Sequence, residues 1–260
     1  MLIGAPNHVG LPLSNEIKWI AREGFDFVDL LMAPPGAALE SIDWRGIRTL
    51  LDAENIVAVC RAPDYLPVDS PSPLVRQAAL DELRRCVDAA AILGARLLTT
   101  SFRGWPSHLT EESGYDYCRQ YLGILISHAL DQGVSVALDN SADNRRQLKH
   151  FREVFRRLPQ LKLAYDIGNG NVHTAKSMTR EYLFSLADRL DHVRISDNDG
   201  SQPAYLPIGA PVTGGIDAAR EVRTLQSFGY DRTMTIEVRG DRRWLTACRD
   251  VLRSLMETSS

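Results

Sequence analysis

LKLAYDIGN, residues 161–169, rises through a short β-forming run to an acid, Asp166, and then breaks into a glycine-containing turn. The same plan recurs in VSVALDN (134–140), HVRISDN (192–198), TMTIEV (233–238) and VAVCR (57–61), each with a charged residue at its carboxyl end. Runs such as VAVC and VSVAL are almost continuously apolar, as parallel strands are when both faces of their sheet are covered. Working outward, strands are predicted over 2–5, 25–31, 56–61, 96–101, 134–139, 161–167, 192–196 and 233–238, each followed by a stretch of helical period. Gly24, Gly94, Gly133 and Gly229 follow the helical stretches 14–23, 73–93, 112–132 and 216–228, where a left-handed residue closes a helix. A strand-helix unit of roughly 30 residues repeated about eight times predicts an α/β fold, a single (β/α)8 TIM barrel over residues 1–260. The competing doubly wound sheet loses ground because no G-x-G-x-x-G follows the first strand and no G-x-x-x-x-G-K-[ST] occurs anywhere. The same absence removes the nucleotide cofactor from the expectations.

The chain has 260 residues, 44% of them hydrophobic and 24% charged, which suits one folded domain. A net charge of -3 gives no cationic field for nucleic acid or an anionic membrane. Cys60, Cys86, Cys118 and Cys248 are too scattered for a disulfide framework, and no run approaches a membrane span, so a cytoplasmic protein is expected.

In a barrel of this type, polar residues at the carboxyl ends of strands build the active site. That rule selects Arg61, Ser101, Arg103, Asp139, Asp166, Arg194, Asp197 and Glu237. Asp139, Asp166 and Glu237 converge in such a mouth and need something positive between them, because an isolated buried charge is too costly. A plainer reading makes strand-end aspartates turn formers or helix caps. Glu237 fits that reading least, since glutamate caps poorly.

The segments GFDFVDL (24–30), the long run from Cys60 to Leu98, VALDNSADN (136–144), AYDIGNGNVH (164–173), DHVRISDNDG (191–200), LPIGAPVTGGID (206–217) and FGYDRTMTIEV (228–238) resemble the xylose-isomerase-like barrels, a superfamily of sugar isomerases and epimerases, inosose dehydratases and endonuclease IV enzymes. In its metal-dependent epimerases a Glu, an Asp, a His and a second Glu hold one divalent ion, and the two Glu residues move protons. By position these become Asp139, Asp166, Arg194 and Glu237. The resemblance thus implies Asp139 and Glu237 as the catalytic pair, and a Mg2+ or Mn2+ site on Asp139, Asp166 and Glu237 in which Arg194 stands where the His ligand should be. A small-molecule substrate is expected to be contacted by Arg61, Arg103, Asn169, His192 and Arg194, with a hydrogen-bonded core role as the alternative for His192, which points into the barrel two residues before Arg194; the resemblance implies pairing as a homodimer. Two sources of positive charge stay open: a weak metal site, or Arg194 with Arg61 in its place. The six histidines miss the usual ligand positions, which argues against a trinuclear zinc nuclease.

The expected reaction is proton removal α to the carbonyl of a small polyhydroxylated compound, giving an isomerase or epimerase. A dehydratase or lyase with a degenerate or absent metal site, and a barrel that binds without turnover, are the alternatives. The Gly- and Pro-rich stretch 197–217 is expected to cover the mouth.

Overall fold

The computed structural model describes residues 1–140, 142 and 147–257; positions 141 and 143–146, within the VALDNSADN segment and just after it, and 258–260 lie outside. Eight parallel strands close on themselves in chain order: β1 (Leu2–Pro6), β2 (Phe27–Leu31), β3 (Val57–Arg61), β4 (Leu97–Ser101), β5 (Ser135–Asp139), β6 (Lys162–Asp166), β7 (Leu190–Ile195) and β8 (Thr233–Ile236). The ring closes where β1 meets β8, with Leu2 opposite Thr233 and Gly4 opposite Thr235. Sequence expectation and structure agree on every strand to within a few residues. The main differences are that Ile167 opens a helix instead of ending β6, and that β7 starts two residues earlier, at Leu190.

The helices are α1 (Leu13–Arg22), α2 (Trp44–Ala53), α3 (Pro73–Leu93), α4 (Glu111–Asp131), α5 (Leu148–Arg157), the short α6 (Ile167–Asn171), α7 (Thr179–Leu186), α8 (Ala218–Ser227) and α9 (Arg243–Glu257). Their apolar residues recur at helical spacing and face the sheet: Leu13, Ile17 and Ile20 on α1, Trp44, Ile47 and Leu51 on α2, and Leu245, Cys248 and Leu252 on α9 are all buried. Asp43, Thr110 and Asp217 cap α2, α4 and α8 by accepting a backbone N–H three residues on. Gly24, Gly94, Gly133 and Gly229 all take the left-handed conformation expected of them, with φ of 70–75°. No described helix is long and apolar enough to cross a membrane.

Inside the ring the side chains change character along the strand direction. At the amino-terminal end Phe27, Val59, Leu97, Ala137 and Ala164 form a buried apolar plug. Gly4 makes room for it, since a Cβ there would lie 2.5 Å from the Phe27 ring. Two residues further along each strand the same inward register carries Asp29, Arg61, Thr99, Asp139 and Asp166, joined by Arg194 from β7. An apolar floor therefore supports a layer of charge.

Candidate active site

The centre of that layer is a guanidinium. Arg194 is 1% exposed, the largest of the fully buried side chains. Its Nε donates to Asp29 Oδ2 at 2.9 Å, its Nη1 to Asp139 Oδ1, and its Nη2 to Thr99 Oγ1 at 2.6 Å. These contacts join β7 to β2, β5 and β4 through the barrel interior. Burial disfavours the charge on Arg194, but Asp139 and Asp29 overcome that and hold its pKa above the ordinary value. For Asp29 burial is again opposed by Arg194, and by a bond from His192, and the carboxyl stays well below the usual range. Burial raises Asp139 despite the pull of Arg194 and Arg61.

A second ion pair lies beside the first. Arg61 Nη1 donates to Glu237 Oε1 at 2.8 Å, and Glu237 Oε2 is left buried without a hydrogen-bond partner, 3.8 Å from Arg194 Nε. Glu237 sits one residue beyond β8, where its N–H donates to Ile195 O at 2.9 Å and continues the ladder. Arg61 keeps its charge because Glu237, Asp139 and Asp29 outweigh its desolvation.

Asp166 has no ion pair among the described residues. Its Oδ1 accepts the Asn169 N–H at 3.0 Å, so it does cap α6 as the plainer reading supposed, while the residue also lines the mouth. Asn140 brackets its backbone on both sides, donating to Asp166 O at 2.9 Å and accepting from Asp166 N. Burial, reinforced by the charge on Glu237, pushes the Asp166 carboxyl up to about 7. A carboxyl raised on folding keeps its proton where the unfolded chain has lost it, so stability falls as pH climbs from about 4 to about 7 and stays lowered above. Asp166→Asn, which can still accept the Asn169 N–H, is expected to exceed the parent in unfolding free energy at pH 8 by ~2–4 kcal/mol and to match it near pH 4. Urea titrations at both pH values check this, and a less stable variant at pH 8 would show an ionised, paired Asp166.

Of the other expected residues, Arg103 and Asn169 line a cavity of about 240 Å3 together with Arg61, Asp139, Asp166 and Arg194. Arg103 donates to Asp64 O at 3.2 Å and approaches Asp69 to 3.6 Å, and Asn169 donates to Asn140 O at 3.0 Å. Ser101 also lines the cavity. His192 lies beneath it, fully buried, with Nδ1 2.8 Å from Thr233 Oγ1 and Nε2 3.2 Å from Thr235 Oγ1 and 3.6 Å from Asp29. Burial lowers its pKa, so the ring is neutral and buttresses Asp29, out of reach of a ligand in the cavity. Asp197 staples the 197–217 loop by accepting the N–H groups of Asn198, Gly209 and Ile216. That loop brings Pro203 and Tyr205 over the mouth. Tyr205 has φ 52°, accepts the Arg239 N–H at 3.0 Å with its backbone oxygen, and lies with its ring 3.7 Å from the Arg239 guanidinium.

Asp29, Thr99, Asn140 and Tyr205 were not among the candidates from sequence. Asp29 had a signal, an acid in the middle of the otherwise apolar strand FVDLL, where an uncompensated charge is expensive. Thr99, inside LLTTS, had none.

A divalent ion needs several ligand atoms within ~2.0–2.6 Å of one point. Here the position between Asp29, Asp139 and Glu237 is filled by the Arg194 guanidinium, and among the described residues no three His, Cys, Asp or Glu side chains are placed to hold an ion. The residues present do not fit the Mg2+ or Mn2+ that the resemblance implies. Calorimetric titration with millimolar Mn2+ is expected to give no binding heat, and EDTA to move the melting temperature by less than about 1 °C, since only a bound ion stabilises by mass action.

The family model for the xylose isomerase-like TIM barrel matches residues 17–258. The chain belongs to this family. Solved structures share its fold. A D-tagatose 3-epimerase-like protein superposes with a TM-score of 0.87 at 20% identity, over 100% of this chain and 98% of that one. The apo form of 3-keto-D-glucoside 4-epimerase from E. coli gives 0.80 at 17% identity, over 98% and 99%. D-Allulose 3-epimerase from Methylomonas sp. gives 0.76 at 18%, over 100% and 98%. At these identities the likeness is one of fold. No curated protein matches the chain's sequence.

Proposed function

We propose that this xylose isomerase-like barrel is a sugar isomerase or epimerase that removes a proton α to the carbonyl of a small polyhydroxylated compound without a metal ion. The observation that carries the reading is the buried Arg194 guanidinium and the half-buried Arg61 guanidinium among four carboxylates, with Glu237 Oε2 left without a hydrogen-bond partner beside them. A buried acceptor without a partner is uncommon in a folded protein unless a ligand completes it.

In this reading Glu237 takes the proton from the carbon beside the carbonyl. The C–H electron pair becomes the carbon-carbon double bond of an enediolate, and the carbonyl electrons move onto oxygen. Arg61 and Arg194 sit where that oxygen becomes negative, and as fixed cations in a partly dry site they stabilise it without reorganisation. Asp139, across the barrel and raised by burial, takes up a proton from solvent and delivers it to the opposite face for epimerisation, or to the neighbouring carbon for isomerisation, while the proton held by Glu237 passes to solvent. Asn169 and Arg103 hold hydroxyl groups at the cavity wall. Loss of a β-hydroxyl from the same enediolate would make the protein a dehydratase.

Binding without turnover is the competing reading, favoured by the burial of Glu237 Oε2 behind Arg61. For substrate to meet that oxygen, the Arg61 guanidinium must exchange Glu237 for the substrate's own oxygens. Incubation with ketohexoses in D2O, followed by NMR, separates the cases. Deuterium at the α carbon with a new epimer or isomer supports the proposal, a dehydrated product moves it to the lyase, and binding heat with no deuterium from any substrate leaves a binding barrel.

A further inference from the structure

Two cavities meet at the mouth. The inner one, about 240 Å3, holds Asp139, Asp166 and Arg194 in its walls. The outer one, about 510 Å3, opens over the ends of β1, β2 and β8, with Asn7, His8, Glu16, Trp19 and Val238 in its walls and Glu237 at its base. Arg61 and Asp64 belong to both, so the Arg61–Glu237 pair is the threshold between them.

The outer cavity has fixed walls. Glu16, 2% exposed, accepts the His8 N–H at 2.8 Å with Oε2 and the Arg242 guanidinium with Oε1. Asn7, also buried, accepts from Leu31 N at 2.7 Å and donates to Leu31 O at 3.3 Å, which ties the end of β1 to the end of β2. Glu237, 7% exposed, also lines the cavity, with its carboxylate held by Arg61 at 2.8 Å.

Size argues for an extended ligand. At the ~30 Å3 share of a liquid water, the inner cavity holds roughly eight waters' worth, room for one small polyol. Only with the outer cavity does the site reach the ~300–1,000 Å3 of ordinary ligand pockets. Lining chemistry narrows the class. The three guanidiniums of Arg61, Arg239 and Arg242 are balanced by the carboxylates of Glu16, Asp64 and Glu237, so the cavity exerts no net pull on an anion. Trp19 offers no free stacking platform, because Arg242 lies 4.6 Å over its ring and Phe25 packs 6.1 Å from it. What remains is aliphatic surface from Val9, Leu31, Val238 and Leu245 interleaved with amide, imidazole and carboxylate groups, the mixed surface that suits a hydroxylated ring.

We infer that the outer cavity binds a second sugar ring, so that the substrate is a glycosylated polyol spanning both cavities with its reacting carbon at the Arg61–Glu237 threshold. Which ring reacts rests on the proton-abstraction reading above; occupancy of the outer cavity does not. Binding energy from the distant ring would then serve to hold the reacting carbon in place.

Calorimetry on the full chain with D-fructose and with three glucosyl-fructoses, isomaltulose, turanose and leucrose, tests this for different linkages. At least one disaccharide is expected to bind tenfold or more tightly than fructose. Val9→Trp, which fills the outer cavity from its rim, is expected to abolish that advantage and leave fructose binding unchanged. His8→Trp, at an exposed neighbouring position, serves the same purpose should Val9→Trp fail to fold. No disaccharide binding tighter than fructose, or a filled rim that weakens both ligands equally, overturns the inference. Because heat is read and not turnover, a failure of α-carbon exchange with every ligand would count against the proposed reaction alone.

Discussion

Glu237→Gln is expected to cut exchange at the substrate α carbon by ~10²–10⁴-fold, the range for loss of a positioned general base. The folded structure should persist. The amide oxygen can still accept from Arg61 Nη1 at the place where Oε1 now accepts at 2.8 Å, and its volume is that of the carboxylate. What disappears is the basic lone pair of Oε2, which has no hydrogen-bond donor and only the Arg194 guanidinium 3.8 Å away. A two-base arrangement makes a sharper demand than overall loss. If Glu237 and Asp139 work from opposite faces, then Glu237→Gln abolishes proton removal from one epimer and Asp139→Asn removal from the other, and each variant still exchanges its own face. Single-turnover reactions with each epimer in D2O read the two faces separately. Exchange by Glu237→Gln at the parent rate on both faces removes Glu237 as a base. Equal suppression of both faces by either variant points to an electrostatic effect on the enediolate instead.

The fold was legible because the βα units repeat one physical pattern, a strand covered on both faces followed by an amphipathic helix, with a charged strand terminus in several units and a closing glycine after four helices. Asp139, Asp166, Arg194 and Glu237 were legible for the same reason, since position along the strand fixes which end of the barrel a side chain reaches. Partner choice was not. The sequence leaves open whether Asp139, Asp166 and Glu237 share an ion or an arginine, because that depends on which strands face each other across the ring. Arg194 on β7 faces Asp29 on β2, a residue in the middle of its strand and so passed over by a rule that looks only at strand ends. His192 shows the converse. It lies two residues before Arg194 on the same inward register, yet that spacing drops it one layer, onto Thr233, Thr235 and the underside of Asp29. Tyr205 belongs to a long loop, whose path follows from the Asp197 staple and the Asp197–Leu206 bridge and not from any local periodicity.

Arg194→Met is expected to lower the unfolding free energy by ~3–5 kcal/mol, the cost of breaking a buried ion pair from one side. Three groups lose their donor together: Asp29, Asp139 and the Thr99 hydroxyl. Asp29 is the worst placed of them. It is fully buried, its Oδ1 already lacks a partner, and Arg194 is the main influence holding its pKa down against burial. Without the guanidinium it must either stay charged in the dry interior or take up a proton, and both choices cost stability at neutral pH. The proton route predicts that the deficit shrinks as pH falls, since protonation of Asp29 and Asp139 then becomes easier in the fold. Combining Arg194→Met with Asp29→Asn and Asp139→Asn should recover most of the loss, because replacing a whole buried ionic cluster by neutral groups costs far less than removing one member. Urea unfolding of the parent, the single and the triple variant at pH 5 and pH 8 measures all of this. A single variant within about 1 kcal/mol of the parent at pH 8 would mean that Asp29 and Asp139 do not depend on Arg194 for their charge, and the view of this arginine as the resident cation of the barrel would have to be given up.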